Sequence, residues 1–74
     1  MGKLRILSGK QICQILERYE FEIVGEKGSH IVMQKKIESS SITVPIPNHK
    51  EIKIGTLKSI IRQSRIPASE FEET

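Results

Sequence analysis

The sequence has no Trp, one Tyr, two Phe and one Cys. The single thiol, Cys13, closes off an internal disulfide framework and any Cys-rich zinc site. With no covalent staple, the chain must hold itself by packing or by docking on a partner. Asp is absent, and all nine acidic residues are Glu. Two-metal nucleases gather several Asp and Glu side chains around their ions, so that mechanism is disfavoured. No apolar run approaches the length of a membrane span. The first eight residues are too short and too mixed to read as a secretory signal, which makes the cytoplasm the expected compartment.

What is present is the composition of a small globular unit, 74 residues with 36 % hydrophobic and 28 % charged side chains. One domain, residues 1–74, is expected. Twelve Lys and Arg against nine Glu give a net charge of +3, and the charge is unevenly spread. Residues 1–19 are basic through Lys3, Arg5, Lys10 and Arg18, and residues 20–26 are acidic through Glu20, Glu22 and Glu26. Lys27, Lys35 and Lys36 form a second basic block, and Lys50, Lys53, Lys58, Arg62 and Arg65 a third, before an acidic tail of Glu70, Glu72 and Glu73. Separated basic blocks suit a polyanion such as RNA or DNA, although a well-solvated surface reads the same way.

Ser8 followed by Gln11 is a capping-box pattern. Ile12, Ile15, Leu16 and Tyr19 then recur at helical spacing, predicting an amphipathic helix over about residues 9–19 with Lys10, Gln14 and Arg18 on its wet face. Phe21 and Ile23 alternate with Glu20 and Glu22, predicting a strand with one buried face. Gly25 and Gly28 bracket Glu26-Lys27 as a hairpin turn. A second strand is expected from His30 to Lys36, with Ile31 and Met33 on one side and His30, Val32 and Gln34 on the other. Ser39-Ser40-Ser41 reads as a turn. Ile42, Val44 and Ile46 mark a third strand, ended by Pro45 and Pro47. From about Ile54 the period is helical again: Leu57, Ile60, Ile61 and Ser64 share a face, Lys58, Arg62 and Arg65 form a basic stripe beside it, and Pro67 closes the helix. Phe71 anchors a final acidic turn. The order α-β-β-β-α points to an α+β fold, a three-stranded antiparallel sheet with both helices on one face and an open face carrying His30, Gln34 and Thr43.

Few residues can carry chemistry. There is no Gly-rich phosphate loop of the Walker or Rossmann type, and two His with one Cys at scattered positions make a poor metal set, so no cofactor is expected. Cys13 reads as a small residue at the edge of the core. His49 reads as a solvated loop residue. His30 follows Gly28-Ser29 at the mouth of the hairpin, with Lys27, Lys35 and Lys36 in its neighbourhood. There an imidazole could meet a phosphodiester, although a strand His is more often an ordinary surface residue.

A set of segments in order gives the chain a family likeness: Leu7-Ser8-Gly9-Lys10, Tyr19-Glu20-Phe21-Glu22, Lys27-Gly28-Ser29-His30, Thr43-Val44-Pro45, Glu51-Ile52-Lys53-Ile54-Gly55-Thr56-Leu57 and Ile60-Ile61-Arg62-Gln63. The sequence resembles the HicA toxin family, the RNA-cleaving half of HicA–HicB toxin–antitoxin systems. The resemblance implies a fold similar to the double-stranded-RNA-binding domain. It also implies a metal-independent endoribonuclease that cleaves mRNA and inhibits translation and growth, with the His of the Gly-Ser-His motif, here His30, as catalytic residue. Its implied partners are RNA and a HicB-type antitoxin that covers the active site, with no membrane and no direct DNA binding. Gly28 and Ser29 through their backbone, and Lys27, Lys35, Lys36, Lys58 and Arg62, are the candidates for RNA contact. With Tyr19, Phe21 and Phe71 all at core positions, stacking platforms are scarce and little base specificity is expected. Two positions depart from the family pattern: Pro47 stands where many members carry a His, and Arg65 where the second helix often meets a Gly. The alternative is a non-catalytic RNA-binding module, or a degenerate toxin, of the same fold.

Overall fold

The computed structural model describes residues 2–73. The elements are α1 (Gly9–Glu17), β1 (Glu22–Lys27), β2 (His30–Ile37), β3 (Ser40–Pro47), α2 (Ile54–Ser64) and a 3-10 turn (Ala68–Phe71). The expected α-β-β-β-α order and antiparallel sheet are present, in strand order β1-β2-β3.

The start of α1 is written in two side chains. The Ser8 hydroxyl accepts from the Gln11 backbone N–H at 3.1 Å, and the Ser8 N–H donates to the Gln11 side-chain oxygen at 2.9 Å. Such a reciprocal cap satisfies two otherwise unpaired donors and stabilises a helix by roughly 0.5–2 kcal/mol. From there Ile12, Cys13, Ile15 and Leu16 turn inward. Leu57, Ile60 and Ser64 do the same on α2. Ile31 and Met33 of β2 face Ile46 and Val44 of β3 in register, and these four side chains join both helices in one core with Phe21, Ile52, Ile66 and Phe71. Their alternates along the strands, His30, Thr43 and Pro45 among them, are exposed, so both helices cover one face and leave the other open.

The two ends of the chain are stitched together. Arg5 N–H donates to the Phe71 carbonyl at 2.9 Å and Glu73 N–H to the Lys3 carbonyl at 2.7 Å. Phe71, wholly buried, anchors that pairing in the core as the sequence pattern anticipates. Burying such a side chain stabilises by roughly 1.5–3 kcal/mol.

Several local expectations are corrected. β1 has no buried face: all six of its residues are exposed, Ile23 at 52 % and Val24 at 53 %. The inward residue is Phe21, just before the strand. The helices pack nearest β3, on the far side of β2, so β1 overhangs them. The first hairpin turn is Gly28-Ser29, not Glu26-Lys27, because β1 continues through Gly25 with a bulge at Val24. Gly28 has φ +61° while Ser29 does not have a positive φ, the pattern of a two-residue turn that needs glycine at its first central position. The second turn is Glu38-Ser39, one residue earlier than the serine run suggests. Pro45 does not end β3, which runs to Pro47. β3 is an edge strand, and an edge accommodates a residue that has no N–H to give.

Candidate nucleic-acid interface

His30 opens β2 immediately after the tight turn, and its side chain is exposed on the uncovered face. Its cross-strand partners are Lys27 on β1 and Pro47 on β3. An imidazole and an ammonium thus stand side by side at the lip of the hairpin. The next row of the same face holds Gly25, Val32 and Pro45, and the row after it Glu22, Gln34 and Thr43. Gln34 Nε2 donates to the Thr43 hydroxyl at 3.2 Å. Glycine and proline flanking Val32 leave that stretch low and unobstructed.

The turn is braced from β3. Asn48 N–H donates to the Ser29 carbonyl at 2.7 Å, extending the ladder one step beyond the His30–Pro47 pair. The loop then passes against α1, where Gly9 N–H donates to the His49 carbonyl at 2.9 Å, and Ile52 N–H reaches the Leu7 carbonyl at 2.8 Å. Gly9 is required for this approach, because a Cβ there would lie 2.1 Å from the Pro47 carbonyl oxygen. The result is a corner of three segments: the hairpin tip, the exit of β3 and the N-terminus of α1.

The candidate residues divide by position. Lys27, Gly28, Ser29 and His30 are contiguous at this corner. Lys35 and Lys36, expected from the sequence to lie near His30, are not in its neighbourhood. Lys36 shares its face but lies six residues along the strand, about 20 Å away at strand spacing. Lys35 points to the helix-covered side, opposite Ile42, with its Nζ 5.9 Å from the centre of the Phe21 ring. Lys58 and Arg62 are exposed on α2, across the sheet from the open face, and Arg62 also donates to the Ser59 hydroxyl at 3.4 Å. His49 is exposed, as expected for a loop residue, yet it stands at the meeting of two clefts. The sequence places Lys10 on a solvated helix face and Lys50 in a separate basic block. Both line one of those clefts with His49. The signal that joins them is tertiary, the Gly9–His49 bond between segments forty residues apart.

Cys13 is buried, and desolvation, followed by the charge of Glu17, holds its thiol above the ordinary range and therefore protonated near neutrality. It is a packing residue. Arg65 takes the left-handed conformation, φ 62°, that glycine commonly supplies after a helix. The exit is fastened nearby by the Ser64 hydroxyl, which donates to the Ile61 carbonyl at 3.0 Å and accepts from Ile66 N–H at 3.3 Å.

Among the described residues no helix is long and apolar enough to cross a membrane, and no cluster of three His, Cys, Asp or Glu could hold a metal ion. Comparison with curated proteins and with solved structures returns no match. The family model described as HicA toxin of bacterial toxin–antitoxin matches residues 9–66. That span opens at the first residue of α1 and closes just after the exit of α2, so it contains the hairpin, the β3 exit loop and both helices. On this match and this fold, the chain belongs to the HicA toxin family of bacterial toxin–antitoxin systems.

Proposed function

We propose that this chain is the toxin of its pair and acts as an endoribonuclease on mRNA, with His30 moving the proton. The observation that carries this reading is the placement of His30: exposed, beside Lys27, at the lip of a tight turn on an uncovered sheet face.

RNA brings its own nucleophile. The 2′-hydroxyl attacks the adjacent phosphorus, the bond to the 5′-oxygen of the next nucleotide breaks, and a 2′,3′-cyclic phosphate and a 5′-hydroxyl result. One proton leaves the 2′-oxygen and one arrives on the departing 5′-oxygen. Imidazole, which changes charge near neutral pH, suits either transfer, and a positioned group of this kind contributes on the order of 10²–10⁴-fold. Lys27 and the backbone N–H groups of Gly28 and Ser29 would oppose the charge that builds on the phosphate. The chemistry needs no metal ion. Lys35, Lys36, Lys58 and Arg62 add positive field away from the scissile phosphate, and affinity should fall steeply with salt.

HicA toxins pair with HicB antitoxins. A HicB-type partner that covers the His30 corner would silence this chain, with an acidic surface as the expected complement to a basic toxin. Two experiments test the reading. Expression of the wild-type chain without a partner should arrest growth, and expression of His30→Ala should not. Equal, harmless growth would instead favour an RNA-binding module that spares its ligand. A single deoxyribose at the cleaved position should block scission, and cleavage there would remove the 2′-hydroxyl mechanism.

A further inference from the structure

We infer that the cleft between the N-terminus of α1 and the loop leaving β3 is a second phosphate site, which holds a neighbouring phosphate of the RNA strand cleaved at His30. The inference rests on the ribonuclease reading and extends it to residues which that reading leaves without a role.

The cleft has a volume of about 250 Å³ and is lined by Ser8, Lys10, Asn48, His49 and Lys50. Two lysines, a histidine, a serine and an asparagine thus line it, and no acidic residue does. The adjoining cleft on the other side of His49 differs: Glu51 and Ile52 line it along with Lys53 and Thr56. Anion selectivity therefore belongs to the first cleft. Its lysines are also uncompensated. The ion pair found among the described residues is Arg18–Glu70, and neither Lys10 nor Lys50 takes part in one.

The walls are built before any ligand arrives. The Gly9–His49 and Ile52–Leu7 backbone bonds fix the loop to the entry of α1, and the Asn48–Ser29 bond fixes it to the hairpin tip. The Ser8–Gln11 capping box holds the other wall. A preformed cationic cleft binds a phosphate without the cost of ordering a loop.

Position ties the cleft to the scissile site. His30 faces Pro47 across the ladder, and His49 follows two residues later. With cross-strand Cα atoms about 5 Å apart and two residues spanning at most about 7 Å, the Cα atoms of His30 and His49 lie within about 12 Å. A strand whose scissile phosphate meets His30 can therefore pass over Pro47 and set a neighbouring phosphate between Lys10 and Lys50.

The test is the salt dependence of binding. The probe is a fully 2′-O-methylated, unstructured single strand, which lacks the nucleophile and stays intact. Its affinity is measured by fluorescence anisotropy from 50 to 200 mM salt for the wild-type chain, for Lys10→Gln/Lys50→Gln, and for Lys3→Gln/Arg5→Gln as a charge-matched control at the N-terminal edge. Each single-strand phosphate contact contributes about 0.7 to the slope of log affinity against log salt, so losing the one phosphate held between Lys10 and Lys50 lowers it by about 0.7. The cleft variant should thus lose about 2.6-fold less affinity than wild type across that salt range, and the control should follow wild type. All four substituted positions are exposed, and each variant is to be checked for folding by circular dichroism. A cleft variant with the slope of the control overturns the second site and leaves the ribonuclease reading standing. A wild-type chain that binds no RNA overturns both.

Discussion

The Asn48 backbone N–H donates to the Ser29 carbonyl at 2.7 Å, so the loop that leaves β3 and the turn that precedes His30 form one continuous rim. Because the same loop is bonded to Gly9 through His49, the entry of α1 belongs to that rim as well. The geometry of the His30 corner thus depends on backbone contacts as much as on the side chains displayed there.

Gly9→Ala should disturb this corner. The added methyl would lie 2.1 Å from a backbone oxygen, that of Pro47, which cannot rotate away. Alanine is otherwise the better helix residue by roughly 0.5–1 kcal/mol, yet overpacking of this kind costs roughly 1–3 kcal/mol. Urea denaturation should show net destabilisation, and RNA cleavage should weaken with it. A variant as stable as wild type would mean that α1 does not press on the β3 exit.

Arg65→Gly should stabilise the chain. A non-glycine residue in the left-handed region costs roughly 1–2 kcal/mol, and glycine returns part of that gain through its freer unfolded state. A net rise of about 0.5–1 kcal/mol is expected, which for a domain of this size is a few degrees in Tm. A fall in Tm would show that the Arg65 side chain contributes more than its backbone costs.

The Cys13 thiol should resist alkylation in the folded protein and react readily in urea. Its pKa is raised by burial first and by Glu17 second. A raised folded-state pKa means that the native chain keeps this proton to higher pH than the unfolded chain. The contribution to stability is therefore complete below the titration range of a free thiol and is lost as pH climbs through the folded value. Cys13→Ala should flatten the alkaline limb of the stability profile. Equal alkylation rates with and without urea would contradict the burial.

Where the signal is local, the sequence is legible. Ser8 and Gln11 announce the start of α1 because a capping box is closed within four residues, and Leu57, Ile60 and Ser64 mark the buried face of α2 because a helix repeats within its own length. β1 misleads for the opposite reason. The alternation of Phe21 and Ile23 with glutamates promises a buried face, but which strands the helices cover is decided by tertiary packing, and they favour β3. Gly25 and Gly28 look alike in the sequence. Only the φ of +61° at Gly28 distinguishes the turn from the strand. Among the site residues, Lys27 and His30 are tied by a two-residue turn and can be read together. Lys10, His49 and Lys50 meet only because the chain folds back on itself.

The proposed cleavage of RNA by His30 is tested on purified protein. Purified wild-type and His30→Ala proteins, matched for folded content by circular dichroism, are incubated with bulk mRNA in the presence of a chelator, and the fragments are resolved by gel. The wild type should fragment the RNA, leaving 2′,3′-cyclic phosphate ends, and His30→Ala should leave it intact. Undiminished cleavage by the folded His30→Ala protein would contradict it.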